Sequence, residues 1–209
     1  CQWNEPTLRD EPTGTKRLCD FEPVRVVKRL KGRVMPHNFL RDYRIRDGFK
    51  NRLTTVCDIM KPAPNCGGVI YDFGENTAGI PLIKLKNTTS GQVIHLQFTE
   101  LSFEGFPDYI NVDVYPDGCA QQDIYVCRGA EEEIYSPSFT YHGGRYCYLY
   151  GAKTEDVELE FLVIRNDVKR RTAFECSEEI SNEIFKTCIR SDESNLHNIL
   201  TDCPAGEKN

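Results

Sequence analysis

From residue 67 to about residue 164 apolar and polar residues alternate with a period of two. Val69–Phe73 and Ile80–Lys86 are two short runs of this kind. The stretch Gly91–Leu101 is the clearest, with Ile94, Leu96 and Phe98 on one side and Val93, His95, Gln97 and Thr99 on the other. Asp123–Cys127, Gly144–Tyr150 and Val157–Ile164 follow. In the last, Val157, Leu159, Phe161 and Val163 alternate with Glu158 and Glu160. Successive side chains of a strand point to opposite faces, so this period marks half-buried strands. Turn-formers separate the runs: Asn87–Gly91, Pro116-Asp117-Gly118, Arg128-Gly129, and Gly151 to Asp156. Six or seven short strands with no helix between them predict a mainly β fold, an antiparallel β-sandwich.

At Ser177 the period changes. Ile180, Ile184 and Cys188 recur every fourth residue, and Phe185, Ile189, Leu196 and Ile199 widen the stripe. The pattern predicts a helix over residues 178–200, N-capped by Ser177 and bent near Ser191–Ser194. Glu178 and Glu179 suit the positive end of its dipole, and Pro204 stops it before Asp202-Cys203. One helix leaves a wide apolar stripe to cover, so a second, helical domain is expected to continue past Asn209. Before residue 67 the pattern is broken by Pro6, Pro12, Pro23, Pro36, Pro62 and Pro64. Phe21–Leu30 reads there as one strand and Arg33–Lys50 as a long loop. The expected division is an irregular segment 1–66, a sandwich 67–172 and the start of a helical domain 173–209.

Composition narrows the classes. Hydrophobic residues make up 39% of 209 residues and aromatics 11%, enough for a core and against disorder throughout. No apolar run reaches the roughly 18 residues of a membrane-spanning helix, so no membrane partner is expected. Residues 1–55 carry a net charge of +6 and the rest −12. Arg25, Lys28, Arg29, Lys31 and Arg33 interleave with Val24, Val26, Val27 and Leu30, as on an exposed strand. The acidic remainder repels phosphate, so no nucleic-acid partner is expected.

None of the ten cysteines forms a Cys-x-x-Cys pair, which argues against a zinc knuckle or a thioredoxin-type site. Cys147 alternates with Leu149 and Cys188 completes the helical stripe, so both read as core thiols. Free thiols and a start without a basic-then-apolar leader favour a cytoplasmic setting. A disulfide-linked extracellular domain is the competing reading. His37, His95, His142 and His197 show no metal-ligand spacing, and neither metal nor cofactor is expected. His95, opposite the apolar face of its strand, is expected to face solvent or a partner.

Several segments could carry chemistry. In Tyr141-His142-Gly143-Gly144-Arg145-Tyr146, His142 and Arg145 could bind a sugar or a carboxylate. The preferred reading is structural, with the glycines in a turn and Arg145 and the tyrosines packing. Asp72-Phe73-Gly74-Glu75-Asn76-Thr77-Ala78-Gly79 reads as a strand end and a tight Asx-type turn, not a phosphate loop. Asn87-Thr88-Thr89 fits a glycosylation acceptor. Asp202 and Glu207 lie five residues apart on a loop after a helix. Two carboxylates, one kept protonated by its surroundings, are what glycoside hydrolysis uses, though a capping Asp beside an exposed Glu would look the same.

Taken in order, these motifs resemble a known family. Asp72-Phe73-Gly74-Glu75-Asn76 with Gly79, Phe98 to Leu101, Asp123-Ile124-Tyr125, Phe139-Thr140-Tyr141-His142-Gly143-x-Arg145-Tyr146, Phe174-x-Cys176-Ser177, and Asn195-Leu196-His197 leading to Thr201-Asp202-Cys203-Pro204 resemble bacterial-type α-L-rhamnosidases, glycoside hydrolase family 78. The resemblance runs from about Val69 to the last residue. It implies a β-sandwich packed on an (α/α)6 barrel and inverting release of terminal α-L-rhamnose. It places the sugar-binding role on Asp202 and the general acid on Glu207, with the general base beyond Asn209. The sequence departs from the family at Gly206, where Arg is usual, and at Gly144, where Phe is usual. The expected partners are a rhamnose-containing glycoside or polysaccharide, the remainder of the barrel, and a second copy of the chain. These 209 residues alone are expected to be inactive. The alternative is a non-catalytic β-sandwich, a carbohydrate-binding or protein-interaction module with the helix as a docking element.

Overall fold

The computed structural model describes residues 22–35, 68–103, 106–107 and 121–204. His37, Gly206, Glu207, the expected loop beyond Met35 and the turn at Pro116-Asp117-Gly118 lie outside them. The fold is mainly β and antiparallel. Its strands are β1 (Val24–Lys31), β2 (Arg33–Val34), β3 (Val69–Lys86), β4 (Val93–Thr99), β5 (Ser102–Phe103), β6 (Phe106–Pro107), β7 (Gln122–Val126), β8 (Glu132–Tyr135), β9 (His142–Tyr150) and β10 (Val157–Asn166). A helix, α1 (Glu179–Ser194), and a hairpin of β11 (Leu196–His197) and β12 (Ile199–Leu200) follow. Among the described residues eight strands form one sheet in the order β1-β10-β3-β9-β4-β7, with β2 and β8 also paired to β3.

The long β3 is the spine. The pattern suggested two strands, Val69–Phe73 and Ile80–Lys86, but the backbone runs through as one, with a register shift against β9 between Asp72 and Thr77. Gly74 has φ of +80° and its N–H donates to Asp72 Oδ1 at 2.7 Å, so the expected Asx-type turn is present as a bulge inside the strand. The first half of β3 pairs with β2 and β9, and the second half with β8 and β10. This change of partners curls the sheet, so that β4 and β7 pack over β3 and β10. Gly143 and Gly144, expected in a turn, lie within β9. A Cβ at Gly144 would come 3.0 Å from Thr99 O, so strand β4 sits close there.

The alternating positions fill the space inside the curl. Ile83, Leu85, Ile94, Leu96, Phe98, Cys147, Leu149, Leu159, Phe161 and Val163 are buried in one cluster. Phe161 stacks on Phe73 at 4.9 Å and on Phe98 at 5.6 Å, joining β10 to β3 and β4. Burial pushes the Cys147 thiol far above its ordinary value and Cys127 up to about 11, so both are inert packing groups. His95 is half-buried rather than free-standing. It packs on Tyr150 at 5.8 Å, and its Nε2 lies 3.0 Å from Gln122 Oε1.

One carboxylate closes the curl. Glu133 on β8 is 1% exposed and accepts hydrogen bonds from the hydroxyls of Thr88 and Tyr125, both at 2.5 Å. It also accepts from the N–H groups of Arg128 (3.1 Å), Gly129 (2.9 Å) and Ala130 (3.0 Å). Thr88, from the candidate glycosylation triplet, is thus a structural donor, and Asn87 Nδ2 donates to Asp156 Oδ1 at 2.7 Å. The hydroxyls of Thr88 and Tyr125, then the backbone donors, hold Glu133 well below its ordinary pKa against the effect of burial. Glu133→Gln would turn a donor toward this ring of donors, and its Tm should fall by several degrees at pH 7. A depressed folded pKa stabilises fully above the ordinary glutamate value of 4.5 and loses that stabilisation as pH falls below it. The gap between wild type and Glu133→Gln should therefore close on acidification from pH 5 to 2, and thermal melts across that range check it.

The C-terminal element differs from its expected form. The helix ends at Ser194, not Leu200, and the chain turns into the β11–β12 hairpin around Asn198, whose φ is 70°. Its N-cap residue is Glu178, with no side-chain cap. Instead Asn182 bridges back to Cys176, accepting from its N–H at 2.9 Å and donating to its carbonyl at 2.8 Å. No residue of α1 is buried. Ile180 is 69% and Ile184 58% exposed, and Cys188, expected in a core, is exposed as well. In a dilute monomer of these 209 residues, the amides of 179–194 should exchange fast, and Cys188 should react with a thiol reagent long before Cys147. Uniformly slow exchange over the helix would show that its apolar face is already covered.

Candidate active site

Polar links, not apolar burial, hold α1 against the sheet. Glu193 Oε1 accepts from Arg165 and Arg170, both at 2.9 Å, and Ser194 Oγ lies 3.4 Å from Thr77 Oγ1 on β3. Burial works to raise the Glu193 pKa, but the hydrogen bonds and charges of Arg170 and Arg165 leave it below its usual value.

A groove of about 500 Å³ opens between the β3 bulge, Gly74 to Thr77, and the end of α1 at Arg190 and Ser194. Arg145 and Tyr146 line it from β9, and Pro204 is also in its wall. The motifs around Asp72, Arg145 and Pro204, far apart in sequence, are thus neighbours. Arg145 forks onto Asp72, Nε to Oδ1 at 2.8 Å and Nη2 to Oδ2 at 2.9 Å, and lies 5.1 Å over the Tyr146 ring. The Arg145 hydrogen bond, outweighing burial, holds the Asp72 carboxyl below its usual range. The guanidinium thus braces the bulge while still lining the groove. His142 is 1% exposed, with Nε2 2.8 Å from Asp123 Oδ2, Nδ1 3.2 Å from Gln121 Oε1, and its ring stacked on Phe98 at 4.4 Å. His142 is enclosed in the sheet, and Arg145 both braces the bulge and lines the groove.

Asp202 stands exposed on the loop that leaves β12, two residues before the buried Pro204. Loop and hairpin are tied back to the sheet. His197 Nε2 donates to Ile164 O at 3.0 Å, Asn198 N–H donates to Asn166 Oδ1 at 2.6 Å, and Asn166 Nδ2 donates to Asn198 Oδ1 at 3.1 Å. Pattern reading missed these contacts because Leu196 and Ile199 fit the helical stripe. Asn198, the residue type most tolerant of a left-handed turn after glycine, was the available signal. Among the described residues no three His, Cys, Asp or Glu side chains come together as a metal site requires.

Residues 63–173, more than half the chain, match the bacterial alpha-L-rhamnosidase concanavalin-like domain. The chain belongs to the bacterial α-L-rhamnosidase family. Residues 169–209 match that family's 6 hairpin glycosidase domain, so α1, the hairpin and the Asp202 loop fall in the second match. An α-L-rhamnosidase of Formosa agariphila is 32% identical over 152 residues, 68% of this chain and 15% of that protein. The α-L-rhamnosidase structure from Dictyoglumus thermophilum superposes with a TM-score of 0.64 at 30% identity, covering 88% of this chain and 18% of that one. The α-L-rhamnosidase from Streptomyces avermitilis, complexed with L-rhamnose, shares the fold with a TM-score of 0.65 at 22% identity, covering 89% of this chain and 15% of that one. This rhamnosidase segment spans about 15% of the length of the curated relatives it matches.

Proposed function

We propose that this chain is the sheet and first barrel helix of an inverting glycoside hydrolase that releases terminal α-L-rhamnose from glycosides or polysaccharides. On this reading residues 1–66 lead in, 67–172 form the sheet domain and 173–209 begin the catalytic barrel. Asp202 accepts hydrogen bonds from the sugar hydroxyls. Glu207 protonates the leaving oxygen, which requires that burial or a like charge such as Asp202 keep it protonated until it acts. The base, about 6.5–9.5 Å from the acid in inverting enzymes, comes from chain beyond Asn209.

The observation that carries this reading is the place of Asp202. It lies in the segment that matches a glycosidase domain, just after a hairpin fastened to the sheet and two residues before Pro204, which lines the groove. The test is proton NMR of the full-length enzyme acting on an aryl α-L-rhamnoside. The β-anomer of rhamnose should appear first, and the 209-residue chain should release none. First appearance of the α-anomer would overturn inversion. Binding of rhamnose without release by the full-length protein would favour the non-catalytic module.

A further inference from the structure

The β11–β12 hairpin is held in an unusual way for so short an element. Ile199 is 73% and Leu200 75% exposed, so apolar burial does little to place it. Directional contacts do. Asn166, 2% exposed at the end of β10, takes the Asn198 N–H and returns a hydrogen bond to the Asn198 side chain. It also donates to the Glu22 carbonyl ahead of β1, so its own amide is locked. His197 is gripped from two sides, by the Ile164 carbonyl and by the Tyr141 ring stacked at 4.5 Å. The Tyr141 phenol is hydrogen-bonded to Thr201, whose N–H donates to Asn195 O at 3.0 Å. Hydrogen bonds fix distance and angle where apolar contact allows sliding. The next residue after Thr201 is Asp202.

We propose that Asn166, with Tyr141 and His197, forms a clasp by which the β-sheet domain sets the position of the Asp202 loop, making Asn166 a positioning residue for Asp202. The inference rests on the reading that Asp202 binds the substrate. It assigns the sheet domain a share in catalysis without contact to the sugar. Misplacing a group by about 1 Å can cost on the order of 100-fold in rate, so loosening the clasp should appear in kcat/KM, to which Asp202 contributes whether its bond forms early or tightens at the transition state.

The test is a double-mutant cycle in the full-length enzyme with Asn166→Ala, Asp202→Asn and the pair. Asn166→Ala should lower kcat/KM about 10- to 100-fold with its Tm within a few degrees of wild type. In the Asp202→Asn background the same change should lower kcat/KM less than about 3-fold, because the hydrogen bond that the clasp positions is already gone. An effect of equal size in both backgrounds, or none in wild type, would overturn the clasp. Should Asn166→Ala fail to fold, Tyr141→Phe removes one hydroxyl and no packing, and the same non-additivity must hold at about 3- to 10-fold. If Asp202→Asn keeps the wild-type kcat/KM, the site reading fails and takes the clasp with it. If Asp202→Asn is impaired while Asn166→Ala is silent or fully additive, the clasp alone fails.

Discussion

Glu207→Gln in the full-length enzyme should lower kcat by about 10²- to 10⁴-fold on glycosides with poor leaving groups, the range that general acid catalysis supplies. The loss should shrink along a series toward activated aryl leaving groups, which depart with less protonation. Asp202→Asn should fail differently. A hydrogen bond to a charged group contributes about 1.5–3 kcal/mol, so kcat/KM should drop roughly 10- to 100-fold. That drop should be the same for every leaving group, because a bond to a sugar hydroxyl does not sense the departing oxygen. It falls on KM if the bond forms equally in ground and transition states, and on kcat as well if it tightens at the transition state. Steep leaving-group dependence in Asp202→Asn, and not in Glu207→Gln, would swap the two roles. Dependence in neither would place the acid elsewhere.

The largest effect on stability should come from Phe161→Ala. Phe161 is fully buried and stacked between Phe73 and Phe98, the point where β10, β3 and β4 meet. Truncation removes the ring's transfer energy and leaves a cavity between the paired strands β10 and β3 and the facing strand β4, whose own sheet pairing limits collapse. Such substitutions cost about 3–5 kcal/mol, a large share of the roughly 5–15 kcal/mol that holds a domain folded. At about 2–4 °C per kcal/mol for a chain of this size, Tm should fall by about 6–20 °C. Phe161→Leu keeps most of the volume and should cost less. Ile134→Ala on β8, where the side chain is 57% exposed, should move Tm by only about a degree or two. Equal losses for Phe161→Ala and Ile134→Ala, measured by thermal melts, would mean that the curl is not organised around this stack.

The strand content was legible because burial inside the curl imposes its own period on the chain. Ile94, Leu96 and Phe98, and Val157, Leu159, Phe161 and Val163, were assigned to one face from alternation alone, and those faces are buried. The family could be recognised from short motifs kept in order. The Asx turn at Asp72 was readable because an Asp two residues before a Gly makes a local hydrogen bond whatever surrounds it. Period says nothing about partners. That β3 runs unbroken through Gly74 depends on β9 tolerating a register shift, and that Gly143 and Gly144 are strand rather than turn depends on their pairing with Ala78 and Thr77 of β3. The helix shows the limit most clearly. Leu196 and Ile199 continue the spacing of Ile180 and Ile184, so the local pattern favours more helix. The chain instead turns at Asn198, because Asn166 and Ile164 at the end of β10 offer partners that a continuing helix would leave unused. The sequence by itself determined which residues avoid water, since that preference belongs to each side chain. The tertiary structure decided which strand each one meets and where the Asp202 loop is held, since a hydrogen bond needs a second group brought to it from elsewhere in the chain.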